Sequence, residues 1–85
     1  PPTDLKWTPA MNWAEGLGAS LPTRPVAALL FALLKDQFER DWHWTCESFN
    51  GSSAWLQNFY GGYQGSTRKS WQGRARAVRL IQLTA

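Results

Sequence analysis

The chain has 85 residues, enough for one domain. A chain this short buries only about two-thirds of its unfolded surface, so large side chains must supply its stability. Six tryptophans, four phenylalanines and two tyrosines meet that need, and a single cysteine excludes an intrachain disulfide and a disulfide-dense secreted module. The net charge of +3 hides an asymmetry: all six acids lie at or before Glu47, and the charges beyond it are Arg68, Lys69, Arg74, Arg76 and Arg79. That half of the chain suits an acidic or nucleic-acid partner, but the bases form no dense tract, and neutralisation across the fold is the preferred reading.

Residues 1–4 read as a frayed start and 5–85 as a single domain. Leu5-Lys6-Trp7 has the makings of a short strand. Thr8 then Pro9 form a helix entrance, hydroxyl cap followed by proline in the first turn, and a helix over 9–17 exits through Gly16 and Gly18. Met11, Ala14 and Leu17 are spaced to face a core, with Trp13 at its border. Thr23 caps a second helix, with Pro25 tolerated in the first turn. Every residue from Val26 to Leu34 is apolar, which predicts a helix covered nearly all round and the hydrophobic centre of the domain. Lys35 suits the negative end of that helix. The block is far shorter than the ~20 residues of a membrane span. The amino end, Pro-Pro-Thr-Asp, has neither a basic start nor an apolar run, and the expectation is a cytoplasmic or phage-particle protein with no membrane partner.

After a polar connection anchored by Phe38, Trp42-His43-Trp44-Thr45 alternates as a strand with both tryptophans on a core. Residues 48–53 form a loop containing Phe49. The stretch Ala54-Trp55-Leu56-Gln57-Asn58-Phe59-Tyr60-Gly61-Gly62-Tyr63-Gln64-Gly65 reads as a hairpin, its Gly-Gly pair supplying the positive φ angles of a tight turn. Strand alternation puts Trp55, Gln57 and Phe59 on one side and Leu56, Asn58 and Tyr60 on the other. A sheet covered on one face buries only one set, so Leu56 and Tyr60 are expected outside as a contact stripe. Residues 66–73 are a polar connection carrying Trp71, and 74–83 a closing strand. In that strand Arg79 falls on the apolar side, through a bulge or through burial against Glu39 or Asp41.

Several phrases occur in a recognisable order: Trp13-Ala14, Leu21-Pro22-Thr23-Arg24, Ala28-Leu29-Leu30, Trp42-His43-Trp44-Thr45, Ala54-Trp55 with Gln57 and Phe59, Gly62, Gln64, Lys69-Ser70 and the run from Arg74 to Arg79. Together they resemble the Lcl C-terminal-type domains of phage and prophage proteins. Similar helix entrances occur in formylglycine-generating enzymes and in the variable proteins of diversity-generating retroelements. The resemblance implies a compact α+β fold of C-type-lectin-like type, with two helices on a twisted antiparallel sheet and the N- and C-terminal strands adjacent. It makes Trp55, Gln57, Phe59, Gly62, Gln64 and the arginine-alanine run scaffold, and leaves Phe49, Asn50, Leu56, Asn58, Tyr60, Tyr63, Ser66, Arg68 and Trp71 free to meet a ligand. Two positions depart from the pattern. Val26 stands where a glutamate usually completes a capping box, and Cys46 where serine usually follows the tryptophan-threonine phrase.

Catalytic constellations are sparse. His43 and Cys46, three apart on a strand, point to opposite faces, which favours a structural thiol and a surface or capping imidazole. One His and one Cys cannot make a structural zinc site, and no cofactor is expected. Glu39, Asp41 and Glu47 read as ion-pair partners for the later arginines. The resulting expectation is a non-enzymatic binding module that recognises a protein or glycan through residues 48–71. It would be a retroelement variable protein or an inhibitor of a host defence factor, self-associating or not. A nucleic-acid-associated protein using the basic residues from Arg68 to Arg79 is the alternative.

Overall fold

The computed structural model describes residues 3–79. They form an α+β domain: helices α1 (Trp7–Gly16) and α2 (Arg24–Leu34), a single 3₁₀ turn (Lys35–Gln37), and strands β1 (Trp42–Ser48), β2 (Ser53–Asn58) and β3 (Gln64–Arg68). The strands make one antiparallel sheet in the order β1-β2-β3. No helix among the described residues is long and apolar enough to cross a membrane.

Helix α1 starts earlier than Thr8 predicts. The Trp7 backbone N–H donates to the Lys69 carbonyl (3.1 Å) and its indole Nε1 to the Thr45 carbonyl (2.9 Å), so tertiary bonds draw Trp7 into the first turn. Lys6 precedes the helix without a side-chain cap. At the exit Gly18 takes φ +69° and its N–H reaches the Glu15 carbonyl at 2.9 Å, a conformation that favours glycine. Ala10 and Ala14 are buried, Met11 and Trp13 pack against the core as partly buried residues, and Leu17 stands half in solvent rather than in the core.

Helix α2 begins where the sequence places it, with Thr23 Oγ1 accepting from Val26 N (3.3 Å). The glutamate missing from its first turn is supplied from the sheet: Glu47 Oε2 accepts the Arg24 backbone N–H at 2.6 Å. A carboxylate thus sits at the positive end of the helix by a tertiary route. Contrary to expectation, α2 is not covered all round. Only Ala27 is fully buried, and Leu29, Leu33 and Leu34 are 56%, 71% and 49% exposed. The hydrophobic centre lies instead at Ala10, Ala14, Leu21, Trp44, Ala54, Leu56 and Ala75.

Both faces of the sheet are covered. Trp44 pairs with Leu56 and His43 with Gln57, so alternation sends Trp44, Ala54 and Leu56 to one side and His43 and Gln57 to the other. Phe59 joins the second side through its ring contacts with His43 (4.8 Å), Phe38 (stacked at 4.2 Å) and Phe31 of α2 (6.1 Å). The expected outward place of Leu56 is therefore overturned: it is 3% exposed, beneath the α1 cluster. The β1–β2 register shifts between Trp44 and Ser48, where Cys46 N turns away to the Pro22 carbonyl (2.9 Å) and Thr45 Oγ1 donates to the Trp55 carbonyl (2.8 Å).

The remaining chain is tied by single bridges. Leu5 pairs with Gly73, Ser20 with Val78, and His43 with Arg74 in parallel, so the start of the domain lies beside residue 73. Neither Leu5-Lys6-Trp7 nor the 74–79 portion of the expected closing strand forms a full strand, and 80–83 lie outside the described residues. Conversely, Ser66, Thr67 and Arg68, expected in a loop, belong to β3.

Candidate functional site

The β2–β3 connection, 59–63, is built around Asn58. Its N–H donates to the Tyr63 carbonyl (2.7 Å), its carbonyl accepts from Gly62 N (3.1 Å), and its Oδ1 accepts from Tyr60 N (2.8 Å) and Gly61 N (2.6 Å). Of the two glycines only Gly62 has positive φ, +86°. A Cβ there would lie 2.6 Å from the Phe31 ring, so the loop rests directly on α2. Buried Gln57 holds the loop from below, its Nε2 donating to the carbonyls of Asn58 (3.0 Å) and Tyr63 (3.3 Å) and its Oε1 accepting from Gln64 Nε2 (2.8 Å). Gln64 Nε2 also donates to the Arg24 carbonyl, and its Oε1 accepts from Arg24 Nε. Helix start, sheet and loop are thereby joined in one amide network.

On this support Tyr60 and Tyr63 are 73% and 71% exposed. Tyr60 borders a cleft with Lys35, Asp36, Arg40 and Phe59, which places it beside the end of α2. Leu29 and Leu33 lie one turn apart on the side of that helix opposite Phe31. Sequence reasoning missed these leucines, because an unbroken apolar run does not say which of its sides is left open.

The other residues expected at a ligand separate. Asn58 is spent on the turn. Asn50 closes its own loop, its Oδ1 accepting from Ser52 N (2.9 Å) and Ser53 N (2.8 Å). Phe49 is exposed but meets Trp55 edge-on at 5.3 Å, and the Arg24 guanidinium lies 3.6 Å above the same indole. Trp71 packs edge-on against Trp44 at 6.0 Å. Ser66 and Arg68 stand exposed along β3. Phe49 and Asn50 thus belong to the loop before β2, and Tyr60 and Tyr63 to the loop after it.

His43 and Cys46 fall in different clusters. His43 is buried, not at the surface, with Nδ1 donating to the Asp41 carbonyl (3.1 Å); burial holds its pKa below the ordinary 6.5. Cys46 packs against the Trp44 cluster, and burial followed by the Glu47 charge pushes its thiol pKa up, away from a reactive thiolate. Among the described residues no three His, Cys, Asp or Glu side chains gather as a metal site.

The basic residues are mostly engaged within the chain. Arg74 Nε lies 3.5 Å from Asp4 and 3.6 Å from Asp41, and neither contact is a hydrogen bond. Arg76 donates to the Gln37 carbonyl (2.7 Å) over the Phe38 ring. Arg79 is exposed and donates to the Leu17 carbonyl (2.6 Å), so it is not buried against Glu39 or Asp41. Lys69 sits over Trp7, 4.5 Å from the ring centroid. Compared with known proteins, the sequence matches no family model and no curated protein.

Proposed function

We propose that the chain is a non-enzymatic binding module whose target is a protein, engaged through Tyr60 and Tyr63, with the outer leucines of α2 as a second contact on the far side of that helix from the loop. The observation that carries this reading is the exposure of Leu33, Tyr60 and Tyr63, each above two-thirds, on a loop and helix that are locked together beneath. Leucine and tyrosine supply contact area at low entropic cost, and such patches in water mark protein contacts. Leucines offer little to a glycan, which needs polar side chains converging on its hydroxyls. The C-type-lectin-like and phage or prophage class, with a host or target protein as partner, rests on the ordered phrases of the sequence. The two helices on an antiparallel sheet match the α+β part of that reading.

The test is capture of partners from a host lysate by the native chain and by the Leu33→Asp/Tyr60→Ala variant. Both substituted side chains are solvated, so the variant is expected to fold. A partner held by the native chain and released by the variant supports the reading. Identical captures by the two refute this placement of the site.

A further inference from the structure

We propose a second binding site at the outer edge of β3, which takes an extended acidic peptide as an added strand and seats one bulky apolar side chain between Trp42 and Trp71. It is separate from the tyrosine–leucine surface and does not depend on it.

The edge is open. Asn58 N donates to Tyr63 O, and Lys69 N to Ser52 O. The β2–β3 register is unbroken between them. Antiparallel ladders alternate, so Gly65 and Thr67 bond to β2 while the backbone groups of Gln64, Ser66 and Arg68 point away from it. Among the described residues only the Arg68 carbonyl has a partner on that side, Trp71 N at 3.0 Å. On the far side of the sheet β1 is covered, since Trp44 N donates to the Arg74 carbonyl (3.0 Å) and Arg74 N to the Trp42 carbonyl (3.2 Å). An uncovered edge is a template for another strand.

A cleft of about 240 Å³ adjoins this edge, lined by Trp42, Leu56, Gly65, Ser66, Thr67 and Trp71. Its floor is open because residue 65 has no side chain: a Cβ there would already touch the Trp42 ring at 3.6 Å. Side chains of an added strand alternate, so one in two would face the side of Gly65 and Thr67 and reach the cleft. Beside the two indole N–H groups, the one polar side chain that alternation turns into this lining is the Thr67 hydroxyl, Ser66 pointing to the other face of β3, and the apolar walls suit an aromatic or large aliphatic group.

Charge selects the occupant. Of the five bases in residues 48–79, which contain no acid, Arg74, Arg76 and Arg79 are engaged elsewhere in the fold, and Arg68, exposed at the end of β3, has no ion pair among the described residues. A second copy pairing through β3, which contains no acid, would offer Arg68 no carboxylate. A peptide carrying carboxylates beside its apolar anchor meets the edge with the complementary sign.

The probe is an array of short extended peptides with glutamate at alternate positions and each apolar residue in turn between them. Retained members are then measured by fluorescence anisotropy. Binding is expected for members carrying tryptophan, phenylalanine or leucine. Ser66→Pro removes an outward N–H without touching the ladder to β2, and Gly65→Val fills the cleft; each should weaken binding by about tenfold or more. Arg68→Glu should weaken it and reverse the sign of its salt dependence, and Leu33→Asp should leave it unchanged. Thermal unfolding checks each variant, and if Ser66→Pro does not fold the other two substitutions decide. An array that retains nothing, binding indifferent to both Gly65→Val and Arg68→Glu, or displacement of the peptide by maltohexaose would overturn the proposal.

Discussion

His43 shows how one buried titratable side chain makes a whole domain sensitive to pH. It is 3% exposed, in edge contact with Phe38 (5.5 Å) and Phe59 (4.8 Å). Burial lowers its pKa most; the bond to the Asp41 carbonyl and the Asp41 charge pull the other way, and Arg76 and Arg74 add smaller downward pushes. Below the ordinary value of 6.5 the unfolded chain takes up a proton that the folded imidazole refuses. Folding is therefore fully favoured above that pH and loses stability as pH falls through the interval between 6.5 and the lowered folded value. The midpoint of thermal unfolding should drop between about pH 7.5 and about pH 5.5. His43→Phe keeps an aromatic ring in the pocket and should flatten that part of the profile, leaving the carboxylate titrations at lower pH. An unaltered profile in the variant would assign the sensitivity to another group.

At the scale of elements, the two glycines of the 59–63 loop look alike in sequence and differ in what they do. Gly62 combines φ +86° with the Phe31 ring 2.6 Å from where a Cβ would sit. Phe31 is held by Phe59 and cannot withdraw freely. Gly61 would meet only the ring of Tyr63, itself 71% exposed and free to swing away. Gly62→Ala should cost about 1–3 kcal/mol, and Gly61→Ala should stay within about 0.5 kcal/mol, as read from urea unfolding. Equal costs would mean that the loop does not rest on α2 as described. Local signals of this kind were the legible part of the chain: the Thr23 cap, the ends of α2 and the strand from Trp42 are all written in neighbouring residues. What needed coordinates was coverage. Leu56 reads as outward on the premise of a sheet covered on one face, and it is buried because α1 and Trp71 lie over the side that premise left bare. Leu29 and Leu33 read as inward because apolarity carries no direction. Of the expected ligand residues, Tyr60 and Tyr63 emerge exposed on one loop. Asn50 and Asn58 look adaptable in sequence but are consumed by their own turns.

At the scale of the molecule, a domain this small holds together through a few large side chains that bind several segments at once. Trp44 is the foremost. It is fully buried among Ala10, Ala14, Leu21, Ala54, Leu56 and Ala75. Its indole Nε1 donates to the Leu5 carbonyl at 2.8 Å, its backbone bonds the 74–75 segment through Arg74, and its ring meets Trp71 edge-on. The same side chain thus links the start of the domain, β1 and the stretch that returns beside it. Truncating the indole to a phenyl ring removes a buried donor, leaves the Leu5 carbonyl with the Gly73 N–H alone and opens a void in a close-packed region. These losses sum to about 2–4 kcal/mol, a large share of the 5–15 kcal/mol that typically separates folded from unfolded chains. Trp71, partly buried and making no indole hydrogen bond among the described residues, loses only part of its contact area in the same exchange. Trp44→Phe should therefore shift the urea midpoint several-fold more than Trp71→Phe. It should also speed hydrogen exchange at the amides of Leu5, Gly73 and Arg74, which are distant in sequence and joined through this one ring. Equal shifts for the two variants, or protection at Leu5 unchanged by Trp44→Phe, would show that the segments are held by the backbone bridges alone.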